Sequence, residues 1–144
     1  MENKIIDILL VEDNPNDAEL VIRALKRKNL VKNLSWVKDG EEALDFLYSR
    51  NKYSQMKNSP KLILLDLKLP KISGIQVLEK IKKDKNLKTI PVVVLTSSKE
   101  DKDLTECYQK GVNSYIVKPV DFSEFMSTVT DIGMYWHFLN QPLK

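Results

Sequence analysis

Polar groups fill some of the costliest positions in this 144-residue chain. The stretch LILLDLKLP, residues 62–70, carries four apolar residues straight into Asp66, and ILLVED, residues 8–13, ends on Glu12 and Asp13. VVVLT ends on Thr96, and SYIVK ends on Lys118. Aspartate is a poor strand former and a carboxylate is expensive to bury without a partner, so acids at the ends of apolar strands imply a shared site. Two carboxylates ~4 Å apart repel by about 1 kcal/mol in bulk water and about 4 kcal/mol at an effective dielectric of ~20. A trio of them needs a cation. Lys118 supplies one charge, and a divalent ion fits better. Every candidate ligand is an oxygen, with no His or Cys in the pattern, which selects a hard, magnesium-like ion over zinc. Such an ion keeps several waters and commonly pairs one or two carboxylates with a phosphate. A phosphoryl group is therefore the expected neighbour, with Thr96 donating a hydrogen bond to one oxygen and Lys118 neutralising another.

These groups can meet only if the strands that carry them end along one edge. Apolar runs alternate with helical patterns throughout the chain. Strands are predicted over 5–11, 34–37, 62–66, 92–96 and 114–118. Asn14 and Pro15 supply an N-cap and a first-turn proline for a helix with Leu20, Val21, Ala24 and Leu25 on its inner face, ending near Asn29. Asp39 and Glu42 form a capping box for a second helix that turns Ala43, Leu44 and Leu47 inward. Residues 51–60, polar and rich in turn formers, read as an exposed loop. A third helix begins near Gly74 and presents Val77, Leu78 and Ile81. Ser98 with Asp101 caps a fourth helix that stops at Gly111. Asp121 with Glu124 caps a last one reaching about Leu139.

Most of these strands are continuous apolar runs, the mark of a parallel sheet covered on both faces. The prediction is a single α/β domain, a doubly wound (βα)5 flavodoxin-like fold with five parallel strands in the order 2-1-3-4-5. It spans residues 1–144, with its core over about 5–130 and an extended helix and tail over about 131–144. Right-handed crossovers make the first and third strands neighbours, so Glu12, Asp13 and Asp66 converge, and Thr96 and Lys118 join them at the carboxyl ends of the strands, where ligands bind in such sheets.

The set Glu12-Asp13, Asp66 with Leu67-Lys68-Leu69-Pro70 and then Gly74, Thr96-Ser97, and Tyr115-Ile116-Val117-Lys118-Pro119 resembles the response-regulator receiver domain of two-component signalling. The likeness runs from Ile5 to about Val129. It implies that Asp66 is the phosphoacceptor, attacking the phosphorus of a phosphohistidine on a sensor histidine kinase. It further implies that Asp13 ligates Mg2+ directly, Glu12 does so through water, and the backbone carbonyl of Lys68 completes the protein ligands. Thr96 and Tyr115 become a switch pair, and the peptide joining Lys118 to Pro119 becomes cis. Two features stand apart from the common pattern. Glu12 replaces the more usual aspartate, and Lys68 sets a long cation beside the phosphoryl site, where it is expected to influence how fast the aspartyl phosphate hydrolyses.

Plainer readings account for other features. The lysines of KRK (26–28) and KIKKDKNLK (80–88) read as solvated helix faces, with no recognition helix or zinc pattern to suggest nucleic acid. Formal net charge is only +3. The lone histidine, His137, fits a helix C-terminus, and Cys107, the lone cysteine, fits a packed helix and a reducing compartment. No run is long enough to span a bilayer and no secretory signal opens the chain, so a cytoplasmic protein is expected.

The apolar tail IGMYWHFLNQPLK (132–144) and the long 51–60 loop resemble the small stand-alone regulators that partner bacterial phytochrome kinases. That likeness implies a homodimer through the last helix and the face made by helix four, strand five and helix five. The expected protein is a phosphoacceptor rather than an enzyme with turnover, its output a protein contact. The leading alternative is a pseudo-receiver that is never phosphorylated. A flavodoxin-like electron carrier wants a phosphate-cradling loop where Glu12 and Asp13 stand, and a haloacid-dehalogenase-type hydrolase wants an acid at the position of Lys68.

Overall fold

The computed structural model describes residues 6–27, 31–55, 60–97, 100–118, 121, 123–124 and 127–128. In chain order the elements are β1 (Ile6–Val11), α1 (Pro15–Arg27), β2 (Val31–Val37), α2 (Gly40–Leu47), a single 3-10 turn (Asn51–Tyr53), β3 (Leu62–Leu65), α3 (Gly74–Lys83), β4 (Val92–Thr96), α4 (Asp101–Gln109) and β5 (Ser114–Val117). The strands form one sheet in the order β2-β1-β3-β4-β5. All four neighbouring pairs are parallel, as the continuous apolar runs require.

Alternation within each strand divides the core in two. Leu9, Val11, Ile63, Leu65, Val92 and Val94 face α2 and α3, where they meet Leu44, Val77, Leu78 and Ile81. Ile8, Leu10, Leu62, Leu64, Val93 and Leu95 point to the other face and meet Ala18, Val21 and Leu25 of α1. Burial on both sides explains why β3 and β4 carry no polar residue until their ends.

Local chemistry sets the element ends. Asn14 Oδ1 accepts from the backbone N–H of Asn16 (2.9 Å) and Asp17 (3.1 Å), capping α1 as its sequence predicts. Ser73 and Gln76 form a reciprocal capping box at α3. Gly111, at φ +96°, ends the α4 segment in a left-handed turn. Gly74 is needed for a different reason: a Cβ there would run into the Asp66 carbonyl oxygen and the Leu67 Cα. The close approach lets α3 begin directly behind β3, fixed by the Gly74 N–H on the Leu67 carbonyl at 2.8 Å.

Several expectations need correction. Leu20 is half exposed rather than inward; the buried stripe of α1 runs through Ala18, Val21 and Leu25 instead. β2 begins at Val31, not Leu34, because β1 offers it a longer ladder. β3 stops at Leu65 and β5 at Val117, one residue short of Asp66 and Lys118, each of which keeps a single N–H bond to the neighbouring strand. The 51–60 segment is not wholly exposed: Tyr53 packs edge-on against Phe46 at 5.2 Å, and Pro60 is buried. The capping box at α2 is shifted, since Asp39 accepts from the Glu42 N–H (2.7 Å) while Glu42 reaches back to the Lys38 N–H (3.1 Å). Glu100 holds the N-cap position of α4 and makes no side-chain capping bond; Ser98 lies outside the described residues. Asp121 caps the Glu124 N–H at 3.0 Å, but the run of that helix to Leu139 and the tail lie outside the described residues, as does Asn29.

Candidate functional site

The predicted acids converge. Asp66 follows β3, and its N–H donates to the Val11 carbonyl at 3.0 Å, setting it beside the end of β1. Glu12 and Asp13 leave β1 at that same edge, and one carboxylate oxygen from each of Glu12, Asp13 and Asp66 lies within 4.8 Å of the others. Glu12 and Asp66 are almost fully buried, at 1% and 6% exposure, while Asp13 is exposed to solvent. An all-oxygen cluster with one open, solvent-facing member fits a hard divalent cation that keeps part of its water shell.

Lys118 reaches into the cluster from the end of β5. Its Nζ donates to Glu12 Oε1 at 2.7 Å, to Asp17 Oδ2 at 2.9 Å and to Asp66 Oδ2 at 3.5 Å. Burial works against its charge, but the hydrogen bonds it donates to Glu12 and Asp17 outweigh that and hold the ammonium well above its ordinary range. Glu12 goes the opposite way for a carboxyl. Burial pushes it up to about 7, the charge of Asp66 adds to that, and the bonds from Lys118 and the Asn14 N–H only partly offset it.

Thr96 is fully buried at the end of β4. Its carbonyl accepts from the Lys118 N–H at 2.7 Å, so the hydroxyl residue and the lysine are tied together through the backbone. Tyr115 lies on β5 opposite Val94, two positions before the Thr96–Val117 pair, and packs half-buried against the core on the α2–α3 face. Lys68 is exposed and its N–H points to Asp66 Oδ1 at 3.4 Å. Pro119, and so the predicted cis peptide, lies outside the described residues.

Two functional-site neighbours were not found by sequence reasoning. Asp17, in the first turn of α1, shares Lys118 with the acids; an acid there already has a local explanation in the helix dipole. Trp36, on β2, donates its indole N–H to the Glu12 carbonyl at 2.7 Å; an aromatic in a half-buried strand likewise draws no notice.

Residues 8–130 match the family model of the response regulator receiver domain. The probable methanogenesis regulatory protein FilR2 of Methanothrix harundinacea is 45% identical over 129 residues, covering 90% of this chain and 82% of its own. Response regulator Rcp1 of Synechocystis sp. is 41% identical over 131 residues, covering 90% and 87%. A crystal structure of the Mn2+-bound form of Rcp1 aligns with a TM-score of 0.79 at 38% identity over 96% of this chain and 97% of that one. The phosphorylated cyanobacterial phytochrome response regulator RcpA aligns equally well, with a TM-score of 0.79 at 39% identity over 96% and 97%.

Proposed function

The chain belongs to the response-regulator receiver family, and on that premise we propose that it accepts a phosphoryl group from a sensor histidine kinase onto the carboxylate of Asp66, with Mg2+ as the metal. The observation that carries this reading is the convergence of three carboxylates, within 4.8 Å, on the edge that Lys118 also reaches. Asp13, Glu12, Asp66 and the backbone carbonyl of Lys68 would hold the ion. When bound, Mg2+ supplies positive charge to the equatorial oxygens of the transferring phosphoryl group.

The chain's own residues do the rest. An Asp66 oxygen attacks phosphorus, the new O–P bond forming as the N–P bond of the donor phosphohistidine breaks and its electron pair returns to the imidazole. Lys118 stands at its longest distance from Asp66, 3.5 Å against 2.7 Å to Glu12, and so has room to swing its charge toward an added phosphoryl oxygen. Thr96 donates its hydroxyl to another oxygen, and Tyr115 follows it inward. Phosphorylation thereby favours one of two packings by differential contact.

The surface that reads out the change is the α4–β5 side. There Leu104 and Tyr108, one helical turn apart, expose 38% and 51% of their surface. Apolar exposure of this kind suits a protein contact, here a downstream protein or a second copy joined through α4, β5 and the helix predicted after Asp121. RcpA, a phytochrome response regulator of similar sequence and fold, supports a phytochrome-type kinase as the donor. The working compartment is the cytoplasm, and the partners are proteins rather than nucleic acid or membrane; among the described residues no helix is long and apolar enough to cross a bilayer.

Incubation with Mg2+ and acetyl phosphate, followed by phosphate-affinity electrophoresis, tests the assignment. Wild type shifts, Asp66→Asn does not, and chelator abolishes the shift. An Asp66→Asn protein that shifts like wild type overturns it.

A further inference from the structure

The peptide that joins Glu12 to Asp13 is held from an unexpected side. The β1–β2 ladder ends at the pair Val11–Val37. Glu12, one residue beyond, still donates its N–H to the Val37 carbonyl at 3.0 Å. Its own carbonyl would need a donor from the next residues of β2, but that chain turns off toward α2. The Trp36 side chain fills the gap, its indole Nε1–H donating to the Glu12 carbonyl at 2.7 Å. Buried carbonyls left without a donor are rare and costly, so this bond decides the plane of the Glu12–Asp13 peptide. Trp36 is itself fixed, packed half-buried against the core face that contains Ile8, Leu10 and Val21.

The plane matters because the two flanking side chains point to different places. Glu12 turns inward to Lys118 and to the Asn14 N–H, whereas Asp13 faces solvent, and both contribute to the same oxygen cluster. A rotation of the intervening peptide would move both. We propose that Trp36 is a positioning residue of the metal centre, acting through the Glu12 carbonyl to aim Glu12 and Asp13 at a divalent cation. This rests on the reading of the acid cluster as a cation site. It adds a residue from the sheet's outer strand, which touches neither the ion nor the phosphoryl group.

Mn2+ alone is the probe, titrated into the full-length chain and followed by the electron paramagnetic resonance of the free ion. Trp36→Phe keeps an aromatic ring and removes the N–H; replacement of Trp36 by the benzothienyl isostere of tryptophan removes only the N–H and guards against loss of packing. Both variants are expected to bind Mn2+ about tenfold more weakly, the scale typical of lost outer-shell support. Acetyl phosphate labelling of Asp66 should recover at saturating Mn2+, raising the metal requirement but leaving the maximal rate. A merely structural Trp36 would lower the unfolding midpoint and leave the Mn2+ affinity alone, and unchanged affinity in the isostere overturns the inference. Absence of Mn2+ binding by wild type overturns the cation site itself and this inference with it.

Discussion

Glu12 and Glu42 carry the same carboxyl group and are held in opposite ways. Burial pushes Glu12 up to about 7. Burial also raises Glu42, but hydrogen bonds from Lys52, Tyr53 and the Lys38 N–H prevail and bring it down to about 2. The two differ both in depth and in company. Glu42 has the Lys52 ammonium at 2.8 Å, the Tyr53 hydroxyl at 2.7 Å and a backbone N–H at 3.1 Å, with one side open to water. Glu12 is shut away from water, sits beside Asp66, and shares Lys118 with Asp17 and Asp66. A satisfied carboxylate fastens the 3-10 turn at Asn51–Tyr53 to α2. An under-compensated one leaves an electrostatic demand that a cation can answer. The contrast separates a structural acid from a binding site.

The sharpest way to break the contrast is to remove the shared cation. Lys118→Ala leaves Glu12, Asp17 and Asp66 facing one another. Measured in chelator near about pH 8, denaturant unfolding should show a loss of about 3 kcal/mol, as for a buried pair that loses one partner. Labelling by acetyl phosphate should fall by about a hundredfold or more, because a charge aimed at the transferring group has gone. An unchanged labelling rate would remove Lys118 from the site.

Neutralising each glutamate in turn comes next in size, and the signs should oppose. Glu12→Gln in metal-free protein near about pH 8 relieves a charge the fold disfavours and should raise stability by about 1–2 kcal/mol, while abolishing any stabilisation by Mg2+. Glu42→Gln gives up charge-assisted hydrogen bonds and should lose about 1 kcal/mol. Two variants moving the same way would refute the comparison.

The pH dependence follows from the same two groups. For Glu12 the folded value, about 7, lies above the ordinary 4.5. Its stabilising contribution is therefore complete below about 4.5 and is lost as pH rises through about 7. For Glu42 the folded value, about 2, lies below the ordinary 4.5, so its contribution is complete above about 4.5 and is lost as pH falls through about 2. Chelated wild type should thus lose stability between about pH 5 and 7 and again in strong acid. Glu12→Gln should flatten the first slope, and Glu42→Gln the second, in unfolding curves taken across the range.

That contrast was half legible in the sequence. An acid at the end of an apolar strand has no local use, so Glu12, Asp13 and Asp66 stood out and the parallel order of strands brought them together. Asp17 and Trp36 did not stand out, because helix dipoles and strand packing already account for such residues where they occur. Leu20 shows the same limit from the other side: helical spacing permits a wide apolar stripe, and only the position of the sheet decides that Val21 is buried and Leu20 is not. The tie between Glu42 and Tyr53 was hidden by composition. Residues 51–60 are polar enough to read as a free loop, yet the Asn51–Tyr53 turn is tied to α2 by the Tyr53 ring on Phe46, by the Tyr53 and Lys52 bonds to Glu42 and by the Asn51 side chain on Asp45.

The smallest effects test what holds that segment. Tyr53→Phe keeps the ring against Phe46 and deletes the hydroxyl bond to Glu42, which should cost about 0.5–1 kcal/mol and let the Glu42 carboxyl rise. Lys52→Ala removes a second donor and leaves the Lys38 N–H, yet the Lys52 side chain is 69% exposed. Its attraction is spent largely against water and salt, and such pairs contribute little, so the unfolding midpoint should stay within error. Amide exchange over α2 and the 3-10 turn should therefore quicken in Tyr53→Phe and stay unchanged in Lys52→Ala. The reverse order would mean that the exposed ion pair, rather than the half-buried hydroxyl, is what keeps Glu42 satisfied, and the distinction drawn from Glu12 would then turn on charge alone.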